Sequence, residues 1–284
     1  MRLEVIVSGN DADFRWRDAE KDLLAGIDTS VPHSARIWNY WMGGKDNYPI
    51  DQQAGDQFAA IYPGIVDMAG VSRYFIARVV RYLAADAGIR QFLDIGTGLP
   101  SHDNTHEVAQ RVSPQSRIVY VDNDPLVLAH AQALLTSNPV GGTDYIAADL
   151  NDPAEILKVA ETKLDFTQPI ALMLMGILGH VPISDDHDSR VKSIVGHLTA
   201  ALPAGGHLAI YDGTNTDLTY VEAIRLYNEG GSVAYHLRSP EQITRLFDGL
   251  DLVDPGAVPI HQWRPDSFGP STAVDAWGGL ARKP

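Results

Sequence analysis

From residue 91 onward the chain repeats one alternation, a short apolar run followed by a stretch patterned for helix. The runs are Gln91–Ile95, Arg117–Val121, Asp144–Ala147, Pro169–Met175 and His207–Tyr211, and helical patterns fall near residues 102–112, 124–136, 152–162 and 185–201. Strands buried on both faces of a parallel sheet read as continuous apolar runs, and helical crossovers of one hand join them. The alternation therefore predicts an α/β, doubly wound, Rossmann-like sheet. Two more helical stretches follow near 216–228 and 239–247, then strand candidates Leu250–Val253 and Ala276–Ala281 separated by a Gly- and Pro-rich segment. That ending predicts a mostly parallel seven-stranded sheet whose last strand returns antiparallel.

Upstream the pattern differs. Residues 1–27 read as a weakly patterned leader, and residues 28–88 as mainly helical. Val71, Phe75, Ile76, Val79, Val80 and Leu83 recur at three- and four-residue steps, which places one apolar stripe on one helix. The expected division is a helical extension or lid over 1–88 and a Rossmann-like domain over 89–284. Composition narrows the chemistry. With no cysteine, disulfides, thiolate metal sites and cysteine nucleophiles are excluded. No run approaches the roughly 18–20 apolar residues that span a bilayer. The leader mixes charges where a signal peptide would be apolar, so a cytoplasmic protein without membrane partners is expected. A formal charge of −14, with no Lys/Arg run, argues against nucleic acid as a partner.

The sharpest local signal is Phe92-Leu93-Asp94-Ile95-Gly96-Thr97-Gly98-Leu99-Pro100. An apolar strand ends in an acid, then Gly-x-Gly, then a helix start. Glycines allow a tight turn and close approach of a ligand, and the helix N-terminus offers unpaired N–H groups. Alone, Gly-x-Gly also fits an ordinary tight turn. Two further strand-end acids strengthen it. Asp122 ends the next run, where an acid can accept both hydroxyls of a ribose, and Asp149 ends the third, where a carboxylate could accept from an adenine amino group. Helix capping would fall to Asp124 before Pro125 and to Asp152 before Pro153.

With these acids in place, residues 91–211 resemble class I S-adenosylmethionine (SAM)-dependent methyltransferases. More narrowly, the chain from about Ile27 resembles an actinobacterial methyltransferase family long described as a domain of unknown function. The residues that carry this likeness are Ile27-Asp28-Thr29-Ser30-Val31-Pro32-His33-Ser34-Ala35-Arg36, Gly43-Gly44-Lys45-Asp46-Asn47-Tyr48 and Val253-Asp254-Pro255-Gly256. The resemblance implies SAM as donor, held by Asp94, Gly96, Thr97, Gly98 and Leu99, by Asp122 and Asn123, by Asp149 and Leu150, and by Met175 and Gly176. It implies no particular acceptor. The third glycine of a dinucleotide motif is replaced by Leu99-Pro100, which disfavours a nicotinamide-dependent oxidoreductase. A SAM-binding sensor without methyl transfer stands as the alternative.

For catalysis the sequence offers His180, after the fourth run, since an imidazole suits proton abstraction. The plainer reading is that it packs or caps nearby backbone. His102 and His106 share a two-His spacing but lack a third ligand, so no metal is expected; His102 is kept as a ligand-facing candidate. The segment 36–48 mixes aromatics, amides and charges around Gly43-Gly44. It reads as a lid in which Arg36, Asn39, Tyr40, Gly43, Gly44 or Asp46 meets donor or substrate, or else as a fixed packing element. The expected acceptor is a small molecule.

Overall fold

The computed structural model describes residues 28–101, 103–127, 129, 140–183, 188–230, 233–266, 269–270 and 272–284. The leader over 1–27 and most of the helix expected near 124–136 lie outside these residues. Among the described residues eight strands form one sheet: β1 (Gln91–Ile95), β2 (Arg117–Asp122), β3 (Gly142–Ala147), β4 (Ala171–Met175), β5 (His207–Gly213), β6 (Asp251–Leu252), β7 (Val258–Pro259) and β8 (Ala276–Arg282). The order is β3-β2-β1-β4-β5-β8-β6, with β7 also on β8. Strands β1 to β5 pair in parallel, and β8 runs antiparallel to β5, β6 and β7. The sheet is thus mostly parallel with one reversed long strand, as the sequence predicts. β7 is the addition: two residues, one of them proline, carry no periodicity to read.

Around the sheet lie α1 (Ser34–Trp41), α2 (Pro49–Ile61), α3 (Ile65–Ala85), α4 (Thr105–Val112), α5 (Pro153–Ala160), α6 (Ser189–Ala201), α7 (Leu218–Glu229) and α8 (Pro240–Thr244). Their starts follow local chemistry. Asp152 accepts the N–H of Glu155 with Pro153 at the first position of α5, and Asn104 and Glu107 form a capping box on α4.

Side-chain alternation decides which face each strand residue serves. Leu93, Ile95, Val119, Val121, Leu172, Leu174, Leu208 and Ile210 pack with α5, α6 and α8 on one face. Phe92, Ile118, Ala171, Met173, Ala209 and Tyr211 share a second core with α2, α3 and α7. In α3, Val71, Phe75, Val79, Val80 and Leu83 are wholly buried. Each large apolar side chain of that stripe contributes about 1.5–3 kcal/mol on burial, so α3 fixes the N-terminal helices to the sheet.

The strand order reverses between β1 and β4, which puts a crevice at their carboxyl ends. Gly96 and Gly176 follow these two strands at φ of +75° and +77°, a region open to glycine. A Cβ on Gly96 would lie 2.4 Å from the Ile177 side chain, so the two turns are packed directly on each other.

Candidate active site at the strand ends

A cavity of about 360 Å³ opens at this crevice. Asp94, Ile95, Gly96, Thr97, Gly98 and Leu99 line it from the first strand end, Asp122 and Asn123 from the second, and Asp149 and Leu150 from the third. Met175, Gly176 and His180 line it from the fourth. Sheet topology alone brings these residues together, because β3, β2, β1 and β4 are consecutive neighbours.

The acids differ in their surroundings. Asp94 is buried and its Oδ2 accepts the Thr105 hydroxyl at 2.6 Å. Burial pushes its pKa up to about 6. Asp122 accepts the N–H of Gly98 on Oδ2 at 2.9 Å and that of Asp124 on Oδ1 at 3.0 Å. Burial raises its pKa, while these N–H groups pull it back toward the charged form. Asp124 caps as expected, accepting from Leu126 N at 2.8 Å, and it stands 3.0 Å from His33 Nδ1 at the start of α1. Asp149 is exposed, and its Oδ1 accepts both the backbone and side-chain N–H of Asn151 at 2.8 Å.

His180 sits in a short 3₁₀ turn after β4, with Nδ1 at 2.9 Å from Ala234 O. A carbonyl only accepts, so Nδ1 carries the hydrogen, and a neutral ring leaves Nε2 as an acceptor. Burial holds the ring pKa below its ordinary value, which favours that neutral form.

The stretch His33 to Met42 borders the cavity, through residues other than Arg36, Asn39 and Tyr40. His33, Ser34, Ala35, Ile37, Trp38, Trp41 and Met42 form the wall. Arg36 points into the protein instead. It is buried, pairs with Asp51 at 2.9 Å, and donates to the carbonyls of Asp28 and Val31 at 3.1 and 2.5 Å. Asn39 is buried as well; its Oδ1 accepts Asp46 N at 3.0 Å and Asn47 Nδ2 at 2.9 Å, shaping the turn after α1. Gly43, at φ +74°, and Gly44 end that helix by donating to the carbonyls of Tyr40 and Asn39. Tyr40 donates to Asp56 at 2.7 Å. On α1 these positions face away from the cavity-lining stripe, a consequence of helical spacing.

His102 lies outside the described residues. His106 is buried against Tyr120, whose hydroxyl is 2.8 Å from its Nδ1. Among the described residues no group of three His, Asp or Glu side chains is placed to hold a metal ion.

Sequence reading missed the fifth strand end. Asp212 and Gly213 close β5, Asp212 is buried, and Gly213 lines the cavity together with Tyr211, Tyr220 and Tyr235. The signal is partial: an acid near the end of an apolar strand, with glycine close behind, as at Asp94 and Gly96.

A sequence profile described as S-adenosyl methyltransferase matches residues 20–284. A solved DUF574 family protein from Streptomyces avermitilis is 42% identical, covering 90% of this chain and 99% of that chain at a TM-score of 0.84. A putative methyltransferase from Thermobifida fusca is 37% identical, covering 91% and 97% at a TM-score of 0.82. A SAM-dependent methyltransferase from Anabaena variabilis, 15% identical with 82% and 94% covered and a TM-score of 0.51, shares the fold. No curated protein matches the chain.

Proposed function

The chain belongs to the S-adenosyl methyltransferase family, and from that premise we propose how its strand-end cavity holds the donor and receives an acceptor. The protein is a SAM-dependent methyltransferase of the class I fold. When bound, SAM supplies a sulfonium methyl group open to displacement by an oxygen, nitrogen or carbon nucleophile.

The residues present fit such a donor. Four adjacent strand ends, spaced roughly 4.8 Å apart, give a trench of roughly 14 Å for an extended ligand. A Cβ on Gly98 would meet nothing within 4 Å, so that glycine faces open space. In this reading Gly96, Thr97 and Gly98 let the ligand approach the backbone, with Leu99 beside them. Asp122 accepts from the ribose, with Asn123 beside it. Asp149 and Leu150 take the adenine side, and Asp94, Met175 and Gly176 border the reacting end.

The observation that carries the reading is the Asp122 carboxylate, which organises the Gly98 turn and lines the cavity. The protein's main contribution would be alignment of two reactants, which can supply much of the barrier reduction without a strong base. His180 Nε2 is available to orient an acceptor. The aromatic wall of α1, α2 and α7 suits a small organic acceptor, and the charge of −14 disfavours nucleic acid. No described helix is long and apolar enough to cross a membrane. In this reading residues 34–61 form a cover over the acceptor end.

Calorimetric titration of SAM, S-adenosylhomocysteine and NADH into the purified protein tests the donor site. Binding of the first two and not the third is expected; binding of NADH alone would overturn the assignment.

A further inference from the structure

Beside the donor positions, the far end of the cavity holds a built polar pair that the reading above leaves unused. Asp212, at the end of β5, is buried and takes the Gly179 N–H on Oδ2 at 3.1 Å. Its Oδ1 accepts a hydrogen bond from the Tyr235 hydroxyl. Tyr235 lines the cavity, and its Oη also accepts the N–H of Gly213 at 3.3 Å.

The pair is held from all sides. Asn228 fixes the backbone of Tyr235, its Oδ1 accepting Tyr235 N at 2.9 Å and its Nδ2 donating to Tyr235 O at 2.8 Å. A Cβ on Gly179 would lie 2.2 Å from the tyrosine ring, so the glycine makes the space the ring fills. His180 meets the same ring edge-on, with centroids 5.2 Å apart. Wholly buried Arg238 pairs with Asp188 and donates to the carbonyls of Leu178 and Val181 at 2.7 and 2.8 Å, which ties the Tyr235 segment to the loop after β4. Packing alone gives no reason to bury a carboxylate here under a cavity-lining hydroxyl.

We propose that Tyr235 and Asp212 form the proton-accepting pair of the acceptor site, and that the acceptor is a flat, uncharged molecule presenting a phenol-like hydroxyl. The proposal rests on the methyltransferase reading of the cavity. The same cavity is also lined by Trp38, Trp41, Phe58, Tyr220, Ile224 and Tyr227, which suits an apolar, planar body. The charged lining residues Arg73, Asp94, Asp122 and Asp149 come instead from α3 and the first three strand ends. The hydroxyl class follows from the geometry of the pair, a buried carboxylate reached from the cavity through the Tyr235 hydroxyl. Burial also pushes Asp212 up to about 6, with Tyr235 and Arg238 drawing it back. A carboxylate so placed can draw a proton from a phenol, whose pKa is about 10, far more readily than from an alcohol nearer the roughly 16 of water.

In the step, Tyr235 Oη takes the acceptor's hydroxyl proton while passing its own to Asp212 Oδ1. The acceptor oxygen forms its bond to the methyl carbon as the carbon–sulfur bond breaks, and that electron pair stays on sulfur as a neutral thioether. The carboxylate and sulfonium charges are both removed, and Asp212 returns its proton to solvent after product leaves.

The test uses the full chain saturated with S-adenosylhomocysteine, para-nitrophenol as the hydroxyl probe and nitrobenzene as its hydroxyl-free counterpart. At mildly alkaline pH free para-nitrophenol is ionised, so seating it beside an ionised Asp212 requires the pair to take up about one proton. Calorimetry in two buffers of different ionisation enthalpy reads that uptake. Wild type is expected to show it, Asp212→Asn to lose it, and Tyr235→Phe to bind the probe at least about tenfold more weakly, the value of a hydrogen bond to a charged group. S-adenosylhomocysteine affinity should stay within about threefold in both variants, which also reports that they fold. Uptake that persists in Asp212→Asn, or that vanishes in His180→Gln instead, would overturn the pair. Nitrobenzene binding as tightly as para-nitrophenol, or neither binding at millimolar concentration, would overturn the acceptor class. In each of those cases intact S-adenosylhomocysteine binding leaves the donor reading standing; its absence would remove both.

Discussion

The N–H of Gly98 donates to Asp122 Oδ2 at 2.9 Å, so one carboxylate both closes the glycine turn after β1 and faces the cavity from the end of β2. The acid and the turn are one unit. Losing the carboxylate leaves the Gly98 N–H without its partner and takes a charged acceptor from the ligand trench.

Asp122→Ala is therefore expected to weaken S-adenosylhomocysteine binding by about 10- to 150-fold, the range for losing hydrogen bonds to a charged group. Calorimetric titration measures it. An affinity within about threefold of wild type would mean that the ribose is held elsewhere.

The two glycines of the first turn should separate stability from binding. Both sit at positive φ, Gly96 at +75° and Gly98 at +61°. A side chain at Gly98 meets nothing within 4 Å, whereas one at Gly96 runs into Ile177. Gly98→Ala should cost only about 1–2 kcal/mol of stability, the left-handed penalty, yet lower donor affinity by intruding on the cavity. Gly96→Ala adds overpacking of about 1–3 kcal/mol to that penalty. Thermal unfolding with and without S-adenosylhomocysteine checks the order; equal stability of the two variants would contradict it.

Arg36 illustrates where a sequence stops being readable. Its polar, aromatic-rich neighbourhood suggested ligand contact, but its partner Asp51 belongs to the next helix and reaches it only through the turn at Gly43-Gly44. Asp51 is wholly buried and also accepts the N–H groups of His33 and Tyr48 at 2.9 and 2.8 Å. Asp94 and Asp122 are legible because each closes a continuous apolar run, whereas Asp149 lies two residues beyond the less apolar β3, and the parallel topology brings all three together. Tyr235 was not, because it lies in an irregular stretch with no period, placed by Asn228 and Arg238. Asp212 lies between: like Asp94 it is an acid near the end of an apolar strand with glycine close behind, but no Gly-x-Gly follows it.

Arg36→Ala should accordingly act through the fold. Removing one partner of a buried ion pair costs about 3–5 kcal/mol because the other charge is left uncompensated. The variant is expected to melt lower and to be cleaved faster by protease within residues 28–48. Unchanged stability with a selective loss of donor affinity would instead restore Arg36 as a ligand contact.

Asp94 gives a pH signature with a definite sign. Burial raises its pKa from the usual 3.8 to about 6, with the Thr105 hydroxyl and Arg73 opposing that rise. Below pH 3.8 the carboxyl holds its proton in both the folded and the unfolded chain, so its protonation adds no penalty. Between there and about 6 the unfolded chain releases the proton and the folded protein keeps it, so stability falls as pH rises. At about 1.4 kcal/mol per unit, the loss across this window is about 3 kcal/mol, and it levels off above the folded-state value. Asp94→Asn cannot titrate, and its amide oxygen can still accept from Thr105. The stability of wild type relative to this variant should therefore decline by about 3 kcal/mol between about pH 4 and 7. Urea unfolding of both proteins across that window measures it. A difference that stays flat would mean that Asp94 is ionised throughout in the folded protein, with Arg73 outweighing the burial.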